Sequence, residues 1–137
     1  MLNVSDTKPE IIEYKKFVSI IIPTFNESKN ITELLNQIQS NVPLGTNVEI
    51  IIVDDNSPDG TGRMVEKYVK DKMSTANRDQ INPNISIKVI HRKEKTGLMS
   101  ALVNGISTCE GQNVLIMDAD FSHPPEVINR MISELKK

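Results

Sequence analysis

The sequence predicts an α/β fold, a mainly parallel sheet held between helices in three layers. Three observations predict it. Four short runs rich in β-branched residues alternate strictly with four stretches of helical apolar spacing. The first two runs are apolar on both sides of the chain except for Ser19 and Glu49, the pattern of strands covered on both faces. Every unusual polar cluster in the chain falls at the carboxyl end of one of these runs, where open parallel sheets bind their ligands.

Residues 1–16, MLNVSDTKPEIIEYKK, mix charges without an apolar centre and read as a polar N-terminal extension, weakly helical around Glu10–Lys16. FVSIII (17–22) is the first strand, closed by Pro23. The helix after it carries Ile31, Leu34, Leu35, Ile38 and Val42 on one side, has Ser28 or Asn30 as its cap, and stops at Pro43 and Gly45. VEIIIV (48–53) is the second strand and DDNSPDGT its turn, in which Asp59 suits a helix cap. A helix from about Thr61 to Met73 lines up Met64, Val65, Tyr68 and Val69. STANRDQINPN is polar and without period, hence a loop. ISIKVI, GLMSALVNGIST, NVLIM and PPEVINRMISELKK then read as strand, helix, strand and helix.

A length of 137 residues fits one domain, taken as 17–137 after the extension. A net charge of −2 gives no bulk attraction for nucleic acid. The single cysteine, Cys109, has no internal disulfide partner, which points to a reducing cytosol, and it sits among apolar helix neighbours with no nucleophile constellation around it. No apolar run approaches the ~20 residues of a membrane span.

The four clusters carry the chemistry. In MDADFSHPP, Asp118 and Asp120 flank Ala119; in extended chain both carboxylates face one point, and hard oxygen ligands so placed suit Mg²⁺ or Mn²⁺. The competing reading is a pair of solvated acids before the Pro124 helix, and the position at a buried strand's end favours the metal. Asp54 and Asp55 point oppositely, so one can accept hydrogen bonds from a base or ribose while the other holds the loop. Phe25 offers a ring to a base, or else packs in the core. Glu27 offers a carboxylate to the ligand, or else a negative charge to a helix start. His91, Arg92, Lys93 and Lys95 precede a helix start that could neighbour a pyrophosphate, although a solvated charge run is the commoner meaning of such a stretch. His123 lies beside the paired acids, either at a phosphate or at the helix entry.

VSIIIPTFNE, IIIVDDNSPDGT, KTGLMSALVNG and MDADFSHPPE, in this order, resemble the family-2 glycosyltransferases of GT-A fold, and among them the dolichol-phosphate and polyprenol-phosphate mannosyltransferases. The resemblance covers about residues 17–137. It implies an inverting transfer of mannose from GDP-mannose to a dolichyl or polyprenyl phosphate at the cytosolic face of a membrane, with a divalent metal. It assigns nucleoside contacts to Pro23, Phe25, Glu27, Val53 and Asp55. It assigns the donor diphosphate to Asp118 and Ala119, and metal and catalysis to Asp118 and Asp120. Where many members carry Gln as a further metal contact, this chain has Ser122. Family domains continue well past this point, so the resemblance also implies that residues 1–137 alone lack the acceptor side. Two alternatives stand beside it: a polyprenyl-phosphate glycosyltransferase using UDP-glucose or another donor, and a nucleotide- and metal-binding unit without turnover.

Overall fold

The computed structural model describes residues 13–72, 82–94 and 96–137. Its elements run β1 (Lys16–Thr24), α1 (Ile31–Asn41), β2 (Val48–Asp54), α2 (Thr61–Lys72), β3 (Ile85–His91), α3 (Leu98–Thr108), β4 (Gly111–Ile116) and α4 (Val127–Leu135). All strand pairs are parallel and the order is β3-β2-β1-β4. The predicted α/β class and all eight elements are therefore present. The weak helix expected around 10–16 is not: Glu13–Lys15 are irregular and Lys16 already belongs to β1, while residues 1–12 lie outside the described part, as do 74–81 of the expected loop.

The continuous apolar runs are explained by layers of unequal size. Val18, Ile20 and Ile22 of β1 and Val48, Ile50 and Ile52 of β2 face α1, α2 and α4 in the main core. Ile21, Ile51 and Val53 face the other way, under Ala101 of α3. Gly105 lets α3 lie close, because a Cβ there would stand 2.6 Å from the Ile21 side chain. The edge strands β3 and β4 are only partly buried.

Pro23 does not close β1, contrary to the sequence reading; the strand passes through it and pairs Thr24 with Asp54. The reason lies in the direction of its missing N–H. Ile21 directs its carbonyl to Met117 N (3.0 Å) on the β4 side, and Pro23, two residues on, faces the same side after β4 has ended. No ladder bond is lost there. Neither Ser28 nor Asn30 caps α1 by its side chain. Instead Ile31 N reaches Glu27 O (2.9 Å), and Asn30 Nδ2 donates to Glu27 Oε2 (3.2 Å).

At the opposite end of the sheet a carboxylate is buried. Glu49 Oε1 accepts from Ser19 Oγ and from Glu110 N, each at 2.5 Å, and Gly111 N donates to Ser19 Oγ at 2.8 Å. Lys88 Nζ stands 3.6 Å from Glu49 Oε2. This network fixes where β4 starts against β1 and β2.

Candidate functional site

Because β2 and β3 extend the sheet on one side of β1 and β4 returns on the other, the chain reverses direction between β1 and β4. That is the switch point where doubly wound sheets open a crevice. A cleft of about 350 Å³ lies there. The sequence-singled Pro23, Phe25, Glu27, Asp55, Asp118, Ala119 and Asp120 all line it, and Thr24, Leu98 and Ala101 complete it. Val53 is the exception. Its side chain is fully buried in the small core under α3, so it offers a nucleoside no side-chain contact. A larger cleft of about 570 Å³, between the edge of β4 and α4, is mostly apolar and gathers none of these residues.

The rim is built by loops that satisfy one another. Three consecutive amides after β1 are capped by side chains after β2: Asn26 N by Ser57 Oγ, Glu27 N by Thr61 Oγ1 and Ser28 N by Asp59 Oδ2, each at 3.0 Å. Asp54 is the acid that holds the loop, accepting from Thr24 Oγ1 (2.7 Å), Ser57 Oγ (2.6 Å) and Ser57 N (3.0 Å). Asp55 is left for the cleft. Phe25, 36% exposed, is not a core residue. Asn26, Asn56 and Phe121 all have positive φ, one in each of the three loops that form the rim. Asn tolerates this conformation, but for Phe121 (φ 65°) it is strained, the kind of cost that clusters at functional sites.

Asp59 also caps α2, accepting from Thr61 N at 3.0 Å. What burial it has raises its pKa, but hydrogen bonds from Thr61 and Ser28 prevail and bring it from 3.8 down to about 2. A depressed carboxyl contributes stability that is fully present above its unfolded value and is lost as pH falls through the folded value. Asp59→Asn is therefore expected to flatten the decline of stability between about pH 4 and pH 2. Urea unfolding across that range checks it, and parallel curves for the variant and the parent chain would contradict it.

Asp118 and Asp120 reach the cleft by a route the sequence did not indicate. The chain turns at Ala119–Asp120, so they converge through a turn and not through strand alternation. Ser122 ties them together, its N donating to Asp120 Oδ1 (3.0 Å) and its Oγ to Asp118 Oδ2 (3.2 Å). Ser122 hydrogen bonding, with a smaller contribution from His123, holds the Asp120 carboxyl below its ordinary range. His123 accepts from Asp118 N through Nδ1 (3.0 Å), which makes it part of the loop's scaffold.

Among the described residues no three His, Cys, Asp or Glu side chains gather in a metal-holding group. Two carboxylates open to a cleft nevertheless fit a hard cation of the Mg²⁺ or Mn²⁺ kind, which takes one or two carboxylates and completes its shell with phosphate and water.

Asp55 and Arg92 form a buried ion pair at the site. Asp55 Oδ1 lies 3.1 Å from Arg92 Nε, with the two side chains 8% and 7% exposed. The pair is matched in charge but poorly aligned, since Asp55 Oδ1 and Arg92 Nη1 are both buried without a hydrogen-bond partner. Each such group costs ~1–3 kcal/mol. The sequence reading favoured a solvated charge run for Arg92. Its burial comes from Asp55, far away in the chain, and no local pattern signals that.

The Glycosyl transferase family 2 model matches residues 19–137. A dolichol-phosphate mannosyltransferase of Pyrococcus furiosus is 39% identical over 119 residues, covering 87% of this chain and 30% of that protein. Among solved structures, a mannosyltransferase from Pyrobaculum calidifontis in complex with GDP-Man and Mn²⁺ aligns with a TM-score of 0.63 at 25% identity, over 80% of this chain and 31% of the other. TarS of S. aureus, in complex with UDP-GlcNAc, aligns with a TM-score of 0.59 at 33% identity, over 76% and 26%. The chain thus spans about a third of the length of the relatives it matches.

Proposed function

The chain belongs to glycosyl transferase family 2, and we propose that residues 17–137 are the donor-binding part of an enzyme that moves mannose from GDP-mannose to a polyprenyl or dolichyl phosphate. The observation that carries this reading is the convergence of Phe25, Glu27, Asp55, Asp118 and Asp120 on one cleft at the switch point of the sheet.

In this reading Phe25 lies against the base, and Asp55 accepts from its ring N–H. Asp118 and Asp120 would hold a divalent ion at the donor diphosphate. When bound, that ion supplies Lewis-acid stabilisation of the charge developing on the leaving diphosphate. The cleft's partial enclosure adds to this, because unit charges at 4 Å interact with ~1 kcal/mol in water and ~4 kcal/mol at an effective dielectric of 20. A lipid phosphate is already ionised at neutral pH, so attack on the opposite face of the sugar, with inversion, requires no strong general base from these residues. The acceptor places the reaction at a membrane surface. Among the described residues no helix is long and apolar enough to cross a membrane.

A second donor class is favoured by one finding: TarS, solved with UDP-GlcNAc, is more similar in sequence than the mannosyltransferase solved with GDP-Man. Competition among GDP-mannose, UDP-glucose and UDP-N-acetylglucosamine for the chain with Mn²⁺ separates the two, GDP-mannose being expected to win. A turnover assay with polyprenyl phosphate distinguishes an enzyme from a binding unit. Asp55→Ala is expected to weaken GDP with metal and guanosine without metal by similar factors, about tenfold. A loss confined to the metal-dependent part, read by calorimetry, would refute the nucleoside role of Asp55.

A further inference from the structure

We propose that the free edge of β4, with the apolar surface on either side of it, is an interface at which two copies of this chain pair β4 to β4, antiparallel, joining their four-stranded sheets into one. The pairing is independent of what the cleft at the switch point binds.

Of the eleven large apolar side chains exposed among the described residues, eight lie on α3, β4 and α4. α3 packs on β1 and β2 and leaves much of the β4 face on its side uncovered. That face presents Val114 and Ile116, 45% and 43% exposed; Ile116 pairs with Ile21, whose side chain points into the small core under α3. Ser100 and Thr108 of α3 meet Arg92 and Lys88, which marks their flank as the one toward β3. At roughly 100° per residue, Leu98 and Ile106 lie on the opposite flank, toward β4, with Met99 and Val103 outside them. On the other face of β4, Met131 and Leu135 of α4 flank the cleft of about 570 Å³. An apolar patch this concentrated marks an interaction surface.

The edge between these surfaces is unguarded. Gly111–Ile116, GQNVLI, carries neither a charge nor a proline to discourage pairing. Met117 N donates to Ile21 O, so by alternation Gln112, Val114 and Ile116 direct their N–H and C=O groups away from β1. These three positions are symmetric about Val114. An antiparallel strand of the same sequence, with Val114 opposite the partner's Val114, therefore satisfies all three and sets each Gln112 against an Ile116. The charges single out a second copy as the occupant. The charged residues lining the cleft beside α4 are Arg130 and Glu134, one turn apart and opposite in sign. A two-fold axis at Val114 runs α4 antiparallel to its copy, which sets Arg130 against the partner's Glu134 and Glu134 against the partner's Arg130. Self-complementarity of this kind is what a two-fold interface requires. Within its own chain Glu134 meets Lys137 at 2.8 Å, an exposed pair of the kind that contributes little.

Sedimentation equilibrium of the full chain tests this. The parent is expected to be a closed dimer with a Kd on the order of micromolar. Val114→Pro removes an N–H that points away from β1, so the fold keeps its ladder while the dimer loses its central bonds, and Kd should rise at least about tenfold. Arg130→Glu and Glu134→Arg should each raise Kd by about tenfold, because each turns both attractive pairs repulsive. Combining the two exchanges restores the pairs with their signs reversed and should bring Kd back to within about threefold of the parent, a recovery that a merely structural role of either residue would not produce. Circular dichroism identifies folded variants, and if Val114→Pro is unfolded the charge exchange decides. A parent that stays monomeric about a hundredfold above that Kd overturns the proposal. So does a dimer that Val114→Pro leaves intact, a double exchange no better than the single ones, or association that grows without limit. A monomer that floats with phosphatidylcholine vesicles would assign the surface to lipid and overturn it as well.

Discussion

Replacing Asp118 and Asp120 together by Asn is expected to abolish the gain in GDP affinity that Mn²⁺ or Mg²⁺ provides over EDTA. The two acids are the carboxylates beyond β4, joined through Ser122 and open to the cleft. Asparagine keeps the size and one acceptor oxygen, and so preserves the loop, but it removes the charge a hard cation demands. Hydrogen-bond-strength contacts to charged groups are worth ~1.5–3 kcal/mol, so each single variant should lose roughly 10- to 100-fold in the metal-dependent increment. Guanosine binding without metal should remain, because the proposed nucleoside contacts are Phe25 and Asp55, which both variants leave in place. Calorimetry with and without EDTA separates the two contributions. An undiminished increment in both single variants would mean that the metal, if there is one, is held elsewhere.

The elements were legible because burial on both faces leaves a strong mark. β2 is buried at every position and, Glu49 apart, reads as Val and Ile until the acid at its end. The clusters at strand ends were legible for the same reason, as polar residues abruptly following runs that have no place for them. The manner of convergence was hidden. Phe121 adopts a positive φ that no aromatic residue advertises, and that kink belongs to the turn bringing Asp120 beside Asp118. Pro23 suggested a strand end because sequence cannot show that its missing N–H faces a gap. Arg92 looked like one charge among several, since its partners Asp55 and Ser100 lie on other elements. Glu49 read only as a break in an apolar run, although it organises the far end of the sheet. Local periodicity reports which side of an element is buried; it does not report which distant polar group waits there.

That far end bears on how firmly the loop carrying Asp118 and Asp120 is placed. Gly111→Ala is expected to destabilise the chain by about 3 kcal/mol, at the upper end of ordinary overpacking costs. A Cβ at this position would stand 2.5 Å from Ser19 N and 2.8 Å from Val18 C, atoms of the β1 backbone that have no rotamer through which to retreat. It would also meet Ser19 Oγ at 2.5 Å, the atom that accepts from Gly111 N and donates to Glu49. Relief requires β4 to move away from β1 at its start, which breaks the network around the buried Glu49 carboxylate. For a domain of this size the loss corresponds to a fall in melting temperature of roughly 10 °C. The displacement should also be felt at the other end of a strand only six residues long, because Asp118 follows Ile116 by two positions. Metal-dependent GDP binding, measured at a temperature where the variant is fully folded, should therefore weaken while metal-free guanosine binding holds. A variant with the parent's melting temperature would show that β4 can be seated on β1 without this close approach, and that the loop's position is set from α4 instead.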